Sequence, residues 1–101
     1  LSIKPTLPQA LNNLAYLYMR KKEYDKALLL YMKLKNSESE NADTYYNIAC
    51  IFAEQKKIKE SINWLKQAIK RGYKNWDGIK TDKNLNKIRK TSYYKQLMKD
   101  H

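Results

Sequence analysis

Glycine and proline each occur only twice in these 101 residues, and cysteine and histidine only once. Long stretches carry neither turn-former, which favours helices joined by short turns over a sheet. Cys50 has no second cysteine, which excludes an intramolecular disulfide and any multi-cysteine metal site. His101 is the final residue, so zinc binding and histidine-based catalysis have almost no material, and no cofactor or metal is expected. No run of about 18 apolar residues exists, so no segment reads as a membrane-spanning helix. No signal peptide is visible, although the chain begins at Leu1 rather than Met, consistent with removal of an N-terminal segment. The cytoplasm is the favoured compartment, with the periplasm left open.

Arginine is also scarce, with only Arg20, Arg71 and Arg89 in a chain of net charge +11. Residues 1–54 carry seven Lys/Arg against six Asp/Glu, whereas residues 55–101 carry fourteen against four. The excess can be read as a patch for nucleic acid or another acidic partner. It can equally be read as solvated helix faces of a lysine-rich sequence. The shortage of arginine, whose fork suits phosphates and base edges, favours the second reading.

What the chain has in quantity is a repeat. Shifted by 34 residues, Leu11 meets Tyr45, Leu14 meets Ile48, Ala15 meets Ala49 and Tyr18 meets Phe52. Further along, Ala27 meets Ser61, Tyr31 meets Leu65 and Leu34 meets Ala68. Within each unit the apolar positions follow i, i+3, i+4, i+7, the stripe of an amphipathic helix. The connectors RKKEY and EQKKI are short and polar, which folds consecutive helices back antiparallel. Thr6 and Gln9 have capping-box spacing, Pro8 suits a first helical turn, and Asn41 suits the cap of a third helix. Small residues at 15, 27, 49 and 61 imply close helix approach, since a bulky side chain there would cost on the order of 1–3 kcal/mol.

With LNNLAYLY followed by ALLLY, and YYNIACIF followed by SINWL, the chain resembles the tetratricopeptide repeat (TPR) family. The resemblance implies an all-α right-handed superhelix. Its parts are a tail of a possible preceding repeat over 1–7, repeats over 8–41 and 42–75, and a helical cap over 76–101. Leu11 and Tyr45 stand where the family usually has Trp, and neither repeat has the closing proline. Pro5 occupies the place of such a proline from an earlier repeat. The two glycines fall where the repeat gives out: Gly72 reads as a left-handed helix stop after LKQAIKR. A third repeat is excluded because its Leu-like and small positions would be Asp82 and Lys83.

The second half also resembles a terminal module of bacterial TPR proteins. The matching residues are Ile48, Ala49, Cys50, Trp64, Leu65, Ala68, Ile69, Gly72, Tyr73, Trp76, Leu85, Ile88 and Arg89. The resemblance implies short helices whose Trp76, Leu85, Ile88 and Leu97 cover the exposed end of an array. Lys83, Lys87 and Lys90 would then face water.

Carried over by position, the inner face of the repeats comprises Gln9, Asn12, Tyr16, Met19 and Arg20, then Asp43, Tyr46, Cys50, Ala53 and Glu54. Asn47 matches one position of the carboxylate clamp found in chaperone-binding members. Tyr16 stands where that clamp needs a second Asn, so a clamp is not expected. Tyr16, Met19, Arg20, Tyr46 and Glu54 are the residues expected to be most exposed and to meet an extended or helical peptide. Cys50 is expected to pack rather than react. Glu54 and Glu60 fall on different helices with no nucleophile or histidine beside them, and RGYKNWDGIK lacks phosphate-loop spacing. The expected function is a non-catalytic protein–protein interaction module, scaffold or adaptor, with self-association as a further possibility.

Overall fold

The computed structural model describes residues 7–36 and 41–99, which form helices joined by turns and short irregular links. The chain divides between residues 40 and 41 into two compact units. The first is a hairpin of α1 (Leu7–Arg20) and α2 (Tyr24–Lys35). The second holds a hairpin of α3 (Ala42–Glu54) and α4 (Ile58–Lys70). It continues into α5 (Trp76–Thr81), a single 3₁₀ turn (Lys83–Leu85) and α6 (Ser92–Leu97). No described helix is long and apolar enough to cross a membrane.

The connectors end their helices by one device used twice. Lys22 and Lys56, 34 positions apart, both take a left-handed conformation, with φ of 64° and 63°. Around each, two amides reach back to the closing turn: Lys22 N to Met19 O (3.0 Å) and Glu23 N to Tyr18 O (2.9 Å). The second copy has Lys56 N to Ala53 O (3.0 Å) and Lys57 N to Phe52 O (2.9 Å). Such pairs satisfy carbonyls that a helix end otherwise leaves open. Holding a lysine at positive φ costs roughly 1–2 kcal/mol. Gly72, at φ 101°, stops α4 without that cost, and Tyr73 N closes onto Ala68 O at 3.0 Å.

Asn41 caps α3 as its sequence position suggested, its Oδ1 accepting from Asp43 N at 2.9 Å. Pro8 lies in the first turn of α1. Thr6, Pro5 and the segment 1–6 lie outside the described residues. The small positions behave as close helix approach requires. Ala15, Ala27, Ala49 and Ser61 are fully buried, and Ser61 Oγ on α4 donates to Ala49 O on α3 at 2.7 Å.

The hairpin stripes are filled unequally. In the second unit Tyr45, Ile48 and Ala49 are buried, with Ile51, Leu65 and Ala68 beside them. In the first unit Ala15, Ala27 and Tyr31 are buried, but Leu14 is 42% exposed and Leu11 and Tyr18 are only partly covered. The expectation of a uniform α1 stripe is therefore corrected at Leu14. A two-helix hairpin closes over one line of side chains, whereas α3 is flanked in its own unit by α4 and by the 3₁₀ turn.

Candidate partner-binding faces

The residues after Gly72 fold back onto α3 and α4, where two polar anchors, Asp82 and Lys87, tie them to α3 and further bonds brace the segment itself. Asp82 caps the 3₁₀ turn, with Oδ1 accepting from Asn84 N at 2.9 Å. Its other oxygen accepts from the Tyr46 hydroxyl on α3 at 2.6 Å and from the Cys50 thiol at 3.9 Å. Lys87 Nζ then meets the end of α3, 3.7 Å from the Glu54 carboxylate and 3.2 Å from Glu54 O. Arg89 donates to Asp82 O and Ile79 O, and the Tyr94 hydroxyl also reaches Ile79 O at 3.4 Å. These bonds satisfy the carbonyls at the end of α5, which a helix of this length leaves open. Beneath them Ile79, Leu85 and Ile88 are fully buried, while Lys83, Lys87 and Lys90 face water. Trp76 and Leu97 are only half-buried.

This packing divides the candidate contact residues. On α3, Tyr46 is 7% exposed, and its ring stacks on Tyr73 at 4.3 Å and 6°. Cys50 and Ala53 are buried, Asn47 and Glu54 are half-buried, and Asp43 in the first turn is exposed. On α1, Gln9, Asn12, Tyr16 and Arg20 are exposed, and the Arg20 guanidinium lies 5.9 Å from the Tyr16 ring centre. Met19, however, is 7% exposed. The expected exposure of Met19 and Tyr46 is thus corrected: Met19 lies toward the hairpin interior, and Tyr46 is taken up by the chain's own Tyr73 and Asp82. Cys50 was also placed on the partner-facing set, and its burial corrects that placement.

The chemistry of the α3 face follows from its burial. Burial first, then the neighbouring Cys50 and Asp82, pushes the Tyr46 phenol far above its ordinary value. Burial, with Asp82 next, also pushes the Cys50 thiol up, so it stays protonated and poorly nucleophilic. Tyr73 is raised by burial in the same way. This is the electrostatics of a packing residue, as expected for Cys50. Among the described residues no group of three His, Cys, Asp or Glu side chains is placed to hold a metal ion.

Sequence reasoning missed Tyr73, Asp82 and Lys87 as the residues that occupy α3. A signal existed in the small residues Cys50 and Ala53, which stand where α1 has the bulky Tyr16 and Met19. Small side chains on a helix face admit a close neighbour. Reasoning also missed the apolar side of α1, where Leu17 is 54% and Tyr16 48% exposed beside Leu14.

Comparison with known proteins agrees with the repeat. The profile of the tetratricopeptide repeat matches residues 8–41 and 42–71. A curated relative, a chloroplastic protein of Arabidopsis thaliana, is 26% identical over 80 residues, covering 76% of this chain and 24% of the relative. The chain therefore spans about a quarter of that protein's length. No solved structure matches.

Proposed function

The chain belongs to the tetratricopeptide repeat family, whose repeats in general mediate protein–protein interaction, and on that premise we propose that it is a non-catalytic docking module whose partner segment binds on α1. The contact residues are Asn12, Tyr16 and Arg20, extended by Leu14 and Leu17 on the adjoining side of the same helix. One observation carries this reading. Leu14, Tyr16 and Leu17 are 42–54% exposed, whereas their counterparts 34 residues on, Ile48, Cys50 and Ile51, are all buried. Large apolar side chains grouped on one exposed helix mark an interaction surface more often than scattered ones do. The α3 residues Tyr46, Asn47, Cys50 and Glu54 contribute less, because each is buried or half-buried and residues 73–87 engage Tyr46, Cys50 and Glu54; Asp43, in the first turn, is exposed but is not part of the α1 group.

A peptide-display selection against the 101-residue chain tests this, followed by mapping of the selected peptides through amide chemical shifts. The shifts are expected on α1. Tyr16→Ala combined with Leu17→Ser is expected to weaken binding at least about tenfold, since aromatic anchors dominate such contacts. Both side chains are exposed, so unfolding temperature should hardly move. Peptides that shift only residues beyond 41, or that bind the double variant unchanged, would reject the α1 site.

A further inference from the structure

α6 packs against α4, and the two helices leave a cleft of about 250 Å³. Its floor is Ile62, which is 2% exposed; its walls are Lys59, Asn63 and Lys66 from α4 and Tyr93 from α6. The α4 residues recur at i, i+3, i+4 and i+7, so one helix face presents all four. Tyr93 is among the exposed large apolar side chains, and the Lys59 ammonium lies 6.0 Å from its ring centre. No carboxylate lines the cleft, and neither Lys59 nor Lys66 has an ion-pair partner among the described residues.

We propose that the α4–α6 cleft is a second docking site, for an acidic peptide segment with an apolar side chain between its carboxylates. This site is separate from the α1 face and stands whether or not that face binds a partner. The argument is one of complementarity. Two cations with no ion-pair partner among the described residues flank an apolar floor, so the matching ligand has two anions flanking an apolar group. Lys59 and Lys66 are about 10 Å apart along α4 at 1.5 Å per residue. In an extended strand alternate side chains share one face, so two acidic residues at i and i+4, about 13 Å apart, place an apolar side chain at i+2 between them on that face. The apolar side chain at i+2 then reaches Ile62 and the Tyr93 ring, and the flexible lysine stems take up the difference in span. The cleft's volume falls below the roughly 300 Å³ at which small-molecule sites begin, which suits a single side chain. Nucleic acid fits less well, because the cleft has no arginine, and Lys59 already lies over its one aromatic ring, where a base would stack.

The test uses the intact chain and a short labelled peptide with glutamates at i and i+4 and a leucine at i+2, so that all three share one face when extended. Binding is read by fluorescence anisotropy at low and physiological salt. The peptide is expected to bind, and Lys59→Glu with Lys66→Glu is expected to weaken it at least about tenfold through like-charge repulsion. Tyr93→Ser is expected to weaken it several-fold while leaving the salt dependence unchanged. Helicity and unfolding temperature of each variant show that the fold is intact; the single Lys66→Glu variant, with a smaller loss, replaces the double one if the double one unfolds. The proposal is overturned if the peptide does not bind, if it binds the charge-reversed variants equally, or if oligothymidine binds the cleft more tightly at the same salt. Peptides that bind here but leave α1 amides unshifted separate this site from the one on α1.

Discussion

The two hairpins carry the same pattern of residues, yet they meet different surroundings. α1 and α3 share small residues at Ala15 and Ala49, asparagines at 13 and 47, and left-handed lysines at 22 and 56 just beyond their ends. Nevertheless α3 is covered along most of its length, while α1 keeps a leucine–tyrosine–leucine side open. The comparison teaches that a repeat register assigns helix geometry, but a side chain's burial depends on which neighbour stands beside it. In the second unit that neighbour is supplied in part by residues 73–89, through Tyr73, Asp82 and Lys87. Within the first hairpin no third element does so among the described residues.

The sharpest way to break the comparison is to truncate the register mates Ile48 and Leu14. Ile48→Ala is expected to cost about 3–4 kcal/mol, as for a fully buried aliphatic side chain. Leu14→Ala should cost less than about 1 kcal/mol, because its side chain is already wet. Urea unfolding of both variants measures the gap, and equal costs would mean that the two hairpins are equally packed.

A smaller effect is expected at the contact that sets α3 apart. Tyr46→Phe removes the donor to Asp82 and should cost about 2 kcal/mol at neutral pH, typical of a hydrogen bond to a charged group. The sign of its pH dependence follows from the raised phenol. Unfolded Tyr46 ionises near 10.0, whereas the folded group stays protonated well above that. Its contribution is therefore complete below pH 10 and declines as pH rises further, by up to about 1.4 kcal/mol per pH unit. The difference between the native chain and Tyr46→Phe should narrow above pH 10, as read from urea midpoints on either side of that value. A constant difference would mean that the phenol is not held protonated by its surroundings.

The smallest effect tests where the hairpins should agree. Lys22→Gly and Lys56→Gly relieve a left-handed lysine in the same turn and should each stabilise by about 0.5–1 kcal/mol. Similar gains at both sites, measured by thermal unfolding, would establish the turns as one device; a gain at only one would show that its neighbours control the strain. Gly72 marks the contrast: an added Cβ there meets no atom within 4 Å, so only its φ of 101° would make Gly72→Ala unfavourable.

Much of the fold was legible in the residues. The shift of 34 located both hairpins, Asn41 read as a helix cap, and Gly72 read as the stop after α4. These are local properties: an asparagine side chain reaches an amide two residues on, and a glycine accepts positive φ wherever it stands. The candidate site was legible only in part. Tyr16 and Arg20 emerge exposed as their positions implied, but Tyr46 and Met19 do not. Tyr46 and Asp82 are 36 residues apart, and nothing in the pattern around either one announces the other.

The sequence by itself determined the helices, their pairing into hairpins and the small residues that let each pair close. All of these rest on periodicity and on short-range backbone chemistry. Only the tertiary structure decided which faces remain open. It did so because the segment after Gly72 returns to α3 and α4 and satisfies its own buried carbonyls and a half-buried carboxylate there. The residues on α3 that looked ready for a partner are largely engaged by that segment, and the open chemistry is left on α1 and in the lysine-walled cleft beside α6.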